Sequence, residues 1–167
     1  MPIICKIAES EDERRAHFAV RHAVFVIEQG LFVDSDVDEH DQHAIPLIAW
    51  DEEQKCVAGA VRCYTVGNDV WYGGRLAVLP HYRQSAASIG ANLCRLAEAT
   101  VIARGCRLFL AYVQVQNRRF FQRLNWTPIG EPVLQYGQPH QLMSASLAAA
   151  PWREERPLEL LAQVSHV

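Results

Sequence analysis

The stretch "FVDSDVDEHDQHA", residues 32 to 44, gathers four Asp, one Glu and two His into thirteen residues. Side chains of these types at this density can make a metal loop, an acidic rim that binds substrate, or a solvated turn. Spacing argues against calcium. Asp34, Asp36 and Asp38 match the first half of an EF-hand loop, but Glu39 stands where Gly is needed and Ile45 where a bidentate Glu is needed. Zinc fails on ligand supply, because no further Cys or His is suitably spaced from His40 and His43. No metal is expected, and the choice between rim and turn depends on what flanks the stretch.

A second stretch, "RLAVLPHYRQSAASIGANLCRLAE", runs from residue 75 to residue 98. It reads as a strand, a loop of small residues and a helix start. Free backbone N–H groups at a helix start, with side chains small enough to admit a ligand, make an anion site. Arg83 adds a fixed charge, and a phosphate-bearing ligand is the natural guest. The loop is neither a Walker loop, since it has no GK[ST], nor a GxGxxG. An ordinary strand–helix turn with a solvated Arg fits the same spacing equally well.

The surrounding pattern says what positions these stretches. "IICKIA" reads as a strand. Ser10 with Glu13 has the form of a capping box, opening a helix that runs to about Glu28 and stops at Gly30. After the acidic loop, "AIPLIAW", "CVAGAVRCYTV" and "VWYGGRLAVLP" are strands joined by short polar turns, as in an antiparallel meander. Gly73-Gly74 marks a bulge or a close backbone approach. A helix ending at Gly105, the strand "RLFLAYVQ", a short helix "NRRFFQRLN" and the strands "WTPIG" and "HQLMSASLA" complete an α/β domain. Its mixed sheet has one right-handed crossover between residues 69 and 114. One domain is expected over 1–150, with an amphipathic tail over 151–167 that covers the domain, closes a homodimer or docks a partner.

Composition narrows the class. Of 167 residues, half are apolar and 21% are charged, the balance of a globular chain. A net charge of −3 leaves no footprint for nucleic acid. The five cysteines form no CxxC pair and read as reduced, mostly buried thiols of a cytoplasmic protein. No apolar run is long enough for a membrane span, and "MPIICKIAES" lacks the form of a signal peptide.

"RLAVLPHYR…IGANLCRLAE", followed after one strand by "VQNRRFFQRLNW", resembles the acetyl-CoA-binding core of the GNAT N-acetyltransferases. The segment "RHAVFVIEQGLFVDSDVDEHDQHAIPLIA" is similar to the corresponding part of ElaA-like members. "EQGLF", "HAIPL", "ARGC", "VQVQN" and "RLNW" resemble the nitrogen-starvation N-acetyltransferases that accompany nitrilase gene clusters, which would imply a role in nitrogen metabolism. The resemblance implies the GNAT fold, a mixed, mostly antiparallel sheet of six or seven strands flanked by helices. It also implies acetyl transfer from acetyl-CoA to the amine of a small molecule, by direct attack in a ternary complex. Leu76, Ala77 and Val78 would offer backbone groups to the pantetheine and one oxyanion donor. Arg83, Gln84, Ser85, Ala86, Ala87, Ser88, Ile89 and Gly90 would cradle the pyrophosphate. Asn117 would touch the pantetheine, Phe120 would pack near the thiol, and Arg123 would reach the phosphates.

In this frame the acidic stretch lies beside the acceptor. Glu28, Asp38, Asp41 and Tyr72 would bind a cationic amine, and Glu28 or His43 would be the base. Two departures from the pattern matter. The phosphate loop is about two residues longer than the family's and keeps only Gly90. The family's usual general acid, a Tyr, is replaced by Phe121, which cannot donate a proton. Tyr112, Tyr72 and His43 are the substitutes. Two other readings stay open: an acyltransferase like the acyl-homoserine-lactone synthases, and a regulatory module that holds acyl-CoA without turnover.

Overall fold

The protein is described by a computed structural model covering residues 2–84 and 88–147. The expected tail at 151–167 and the loop residues Ser85, Ala86 and Ala87 lie outside the described residues.

The chain opens with strand β1 (Ile3–Ile7) and helix α1 (Glu11–Arg21). The capping box forms as the sequence implies. Ser10 Oγ accepts from the Glu13 N–H at 3.0 Å, and the Glu13 carboxylate accepts from the Ser10 N–H at 3.1 Å. The helix does not stay α-helical to Glu28. From His22 to Glu28 it is a π-helix, closed by the Gln29 N–H on the Val24 carbonyl at 2.9 Å. Gly30, at φ +60°, ends it.

Strands β2 (Ile45–Asp51), β3 (Cys56–Gly67) and β4 (Val70–Val78) form the expected meander. Helix α2 (Ile89–Ile102) then crosses over to β5 (Leu108–Gln114), which lies parallel to β4. After α3 (Arg118–Arg123), strands β6 (Trp126–Gln135) and β7 (Gln138–Ala145) form a hairpin. The strand "WTPIG" is therefore longer than its apolar pattern implies. Tyr136 and Gly137, both at positive φ, turn the hairpin. The seven strands lie in the order β1-β2-β3-β4-β5-β7-β6.

The two sheet faces have separate cores. Ala58, Val61 and Cys63 of β3, brought to one face by register shifts along the strand, meet Leu93, Leu96, Ala97 and Val101 of α2. Ala60 and Ile48 meet Val20, Val24 and Phe25 of the first helix. All five cysteines are free thiols. No helix among the described residues is long and apolar enough to cross a membrane.

Candidate active site

Strands β4 and β5 pair only where Val70, Trp71 and Tyr72 meet Leu108, Phe109 and Leu110. Beyond Tyr72 they diverge, and the two backbones leave a wedge between them. Its causes are local. A Cβ on Gly73 would come within 3.0 Å of the Phe109 ring, so the strands can approach there only because the residue is Gly. Two residues on, Arg75 sits at φ +55°, and the β3–β4 register slips between Arg62↔Gly74 and Ala60↔Ala77. This bulge bends β4 away from β5. The Gly pair thus stands beside the bulge, and Arg75 makes it. Left-handed backbone costs a non-Gly residue on the order of 1 kcal/mol. The Arg75 side chain offsets that cost. Its Nε and Nη2 donate to the Asp36 carbonyl at 3.1 and 2.9 Å, and ion pairs to the Asp36 and Asp38 carboxylates follow at 3.2 and 3.3 Å.

The acidic stretch therefore has a structural task. Arg21 is fully buried and donates from Nε to Asp36 at 2.7 Å, and from Nη1 and Nη2 to Asp41 at 2.8 and 3.0 Å. Arg62 grips Asp38 with two bonds of 2.7 and 2.9 Å and also reaches Asp41 at 2.9 Å. Three guanidinium groups thus face three carboxylates. Burial pushes the Asp38 carboxyl up, but Arg62 and Arg75 more than reverse this and hold it below the usual carboxylate range. Asp41, under the same opposing influences from burial, Arg21 and Arg62, is also lowered. The acidic wall expected from Asp38 and Asp41 is replaced by an internally neutral network. Arg21 alone holds two of the loop carboxylates, Asp36 and Asp41.

A cavity of about 700 Å³ opens through the wedge to both sheet faces. Tyr72 and Tyr112 line it, as do Leu76 and Asn117. Glu28 and His43 do not. Glu28 is exposed and chelates Arg83 at 2.6 and 2.7 Å. The Arg83 hydrogen bonds hold its carboxyl below the ordinary range, which weakens it as a base. His43 is exposed at the loop edge, 6.2 Å from His40 between ring centroids. Phe121 is buried against Trp126, at 5.6 Å. Four further cavity residues, Arg62, Tyr64, His40 and Tyr136, are absent from the sequence-based set. Arg62 and Tyr64 did leave a signal: two large polar side chains two residues apart in an apolar strand must share a face.

The residues present fit acetyl-CoA. The backbone of β4 after Tyr72, held by β3 on one side and unpaired on its β5 side, can pair with an extended chain bearing amides. Helix α2 starts at Ser88, which is left-handed and makes no side-chain cap, so the first-turn N–H groups are not claimed by its hydroxyl. Gly90 leaves room under Phe120, whose ring a Cβ would meet at 3.3 Å. Arg83 also donates from Nε to the Val78 carbonyl at 2.9 Å, fixing it beside this helix start. Ala77 is buried, while Arg123 and Gln84 are exposed.

Residues 8–126 match the model of the acetyltransferase (GNAT) family. A putative acetyltransferase of Bacillus subtilis, BSU40680, is 29% identical over 141 residues, spanning 81% of this chain and 90% of that protein. Among solved structures, a putative N-acetyltransferase from Lactobacillus plantarum superposes with a TM-score of 0.78 at 22% identity, covering 88% of this chain and 99% of the other. Escherichia coli ElaA gives 0.74 at 21% identity, covering 86% and 99%. The fold likeness extends to BjaI, a CoA-dependent acyl-homoserine lactone synthase, with a TM-score of 0.71 at 18% identity over 99% of this chain and 90% of that one.

Proposed function

The chain belongs to the acetyltransferase (GNAT) family, and on that premise we propose that it moves the acetyl group of acetyl-CoA to the amine of a small molecule within a ternary complex. The observation that carries the reading is the wedge between β4 and β5, with the cavity opening through it. The 1–150 segment acts as one catalytic domain. Its resemblance to nitrogen-starvation N-acetyltransferases supports including nitrogen-rich amines among the acceptors tested.

Acetyl-CoA supplies an acyl carbon activated by a thioester. Backbone groups of Leu76, Ala77 and Val78 hold its pantetheine, and one N–H faces the carbonyl oxygen as charge develops there. Asn117 and Phe120 flank the thiol end. Arg83, Gln84 and the segment from Ser85 to Gly90 hold the pyrophosphate, with Arg123 near its rim. As the nitrogen–carbon bond forms and the carbon–sulfur bond breaks, the amine loses a proton and the sulfur gains one. Tyr112, half-open to the cavity, is the proton donor in place of the missing Tyr at Phe121. Glu28, freed when phosphate takes Arg83, and His43 at the loop edge are the acceptors for the amine proton, reached through water.

The test follows thiol release from acetyl-CoA with a mixed pool of amines, amino acids and polyamines. Release that depends on the pool and falls in Tyr112→Phe supports the transfer and its donor. Stabilisation by acetyl-CoA without release from any amine would favour a module that only holds the cofactor. No stabilisation would remove the enzymatic reading.

A further inference from the structure

We propose that the acceptor is an amine carried on a flat aromatic body, an arylalkylamine or a neutral derivative of an aromatic amino acid, seated against a row of stacked rings in the cavity wall. The proposal rests on the acetyltransferase reading above and names the substrate class of the same site.

Four rings stand in line. His40 stacks on Tyr64 with centroids 4.1 Å apart and planes 8° apart. Tyr64 and Tyr72 follow at 5.9 Å and 14°, and Tyr72 and Tyr112 at 6.4 Å and 11°. The sheet builds the row. Tyr64 and Tyr72 are register partners on β3 and β4, and Tyr112 lies two residues beyond the partner of Tyr72 on β5. All four line the cavity.

The two ends differ. His40 closes the first, and its backbone N–H is fixed to Asp38 Oδ1 at 3.0 Å. At the other end Tyr112 stands beside Leu142, its register partner on β7, and is still 38% exposed. None of the three tyrosine hydroxyls has a protein hydrogen-bond partner among the described residues. An aromatic guest packed against the exposed part of Tyr112 on its β4 side would continue this aromatic surface and lie beside the wedge. Phe32 and Tyr136, 4.4 Å apart between centroids, add aromatic surface above it.

Charge excludes the main alternatives. A polyamine needs free carboxylates and an acidic acceptor needs a free cation. Here Asp38, Arg62 and Arg75 are spent on one another. Glu39 at the rim is 82% exposed and screened by solvent. Aromatic faces, by contrast, attract both a ring and an ammonium group.

The experiment compares 2-phenylethylamine with 2-cyclohexylethylamine, which have nearly the same size, and with spermidine. Thiol release gives kcat/KM, and calorimetry without acetyl-CoA gives Kd for each amine. The expected result is a preference for the aryl amine of roughly tenfold in both measurements. That ratio should survive in Tyr112→Phe, which keeps the face, and collapse in Tyr112→Leu, with thermal melts confirming that both variants fold. Equal use of the two ring amines, or preference for spermidine, overturns the proposal and leaves the acetyltransferase reading standing. No release from any amine sinks that reading instead, and the calorimetric ratio then decides the aromatic site by itself.

Discussion

Arg21 donates from Nη1 to His17 Nε2 at 3.2 Å, while His17 Nδ1 lies 3.0 Å from the Leu47 carbonyl. A carbonyl only accepts, so Nδ1 carries the proton and Nε2 offers its lone pair to the guanidinium. A second proton on this ring would point at Arg21. Burial lowers the His17 pKa to about 4, with the Leu47 hydrogen bond opposing and the Arg21 charge reinforcing the shift. The unfolded imidazole takes its proton near ~6.5. Between those values the unfolded chain binds more protons, so stability should fall as pH drops from about 6.5 to 4, by up to about 3 kcal/mol. Urea unfolding at pH 7, 6 and 5 measures the slope, and His17→Asn should flatten it. An unchanged slope in the variant would assign it to other groups.

The Arg–Asp network makes a second window. Asp38 and Asp41 have lowered pKa values, so the stability they contribute is complete above their unfolded values near ~3.9 and is lost as pH falls below them. Removing one partner at neutral pH should cost more. Arg21→Met leaves Asp36, which is 2% exposed, with Arg75 alone and Asp41 with Arg62 alone, at a cost of about 3 kcal/mol. Equilibrium unfolding checks this, and a loss under about 1 kcal/mol would mean that water replaces the guanidinium.

Glu28 and Arg83 form an exposed pair, so breaking it should barely change the melting temperature. Their effects on acetyl-CoA should have opposite signs. Arg83→Ala removes a charged donor to phosphate and should weaken binding roughly tenfold. Glu28→Gln removes a competitor for Arg83 and should leave binding equal or tighter. Calorimetric titration at low salt separates the two, and parallel losses would contradict the exchange.

Gly59 is where α2 presses on β3. A Cβ there would meet Ile89 and Leu93 side-chain carbons at 3.0 Å and the Ala77 carbonyl at 3.2 Å. Gly59→Ala should cost about 1–3 kcal/mol by overpacking. Because Ile89 begins α2, the same change should raise KM for acetyl-CoA by displacing the helix start. A destabilised variant with unchanged KM would show that the helix yields elsewhere.

Much of this architecture was legible in the chain. Ser10 with Glu13, Gly30 and Gly105 each fix a boundary through local chemistry, and the structure keeps them. The π-helix was not legible, because "HAVFVIE" has an ordinary helical pattern and the widening is visible only in its hydrogen bonds. The hairpin at Tyr136 was missed because β6 is an edge strand with little burial, so alternation is weak in "EPVLQ". The acidic stretch misled for a different reason. Its partners Arg21, Arg62 and Arg75 lie on a helix and two strands, and composition cannot say which charges meet.

The π-helix from His22 to Glu28 also bears on how this chain can change by insertion and deletion. A π turn holds one residue more than an α turn, so this segment is an α-helix carrying an extra residue. Deleting one residue between His22 and Ile27 would restore the tighter winding, and because the wider turn had absorbed that residue, everything after it would keep nearly its present direction. Glu28 would still face Arg83, and Gln29 would still face Gln114, which it meets at 3.0 Å. A deletion within Glu11–Arg21, where no turn has a residue to spare, would instead rotate the remainder by about 100° and break both bridges to the mouth of the wedge.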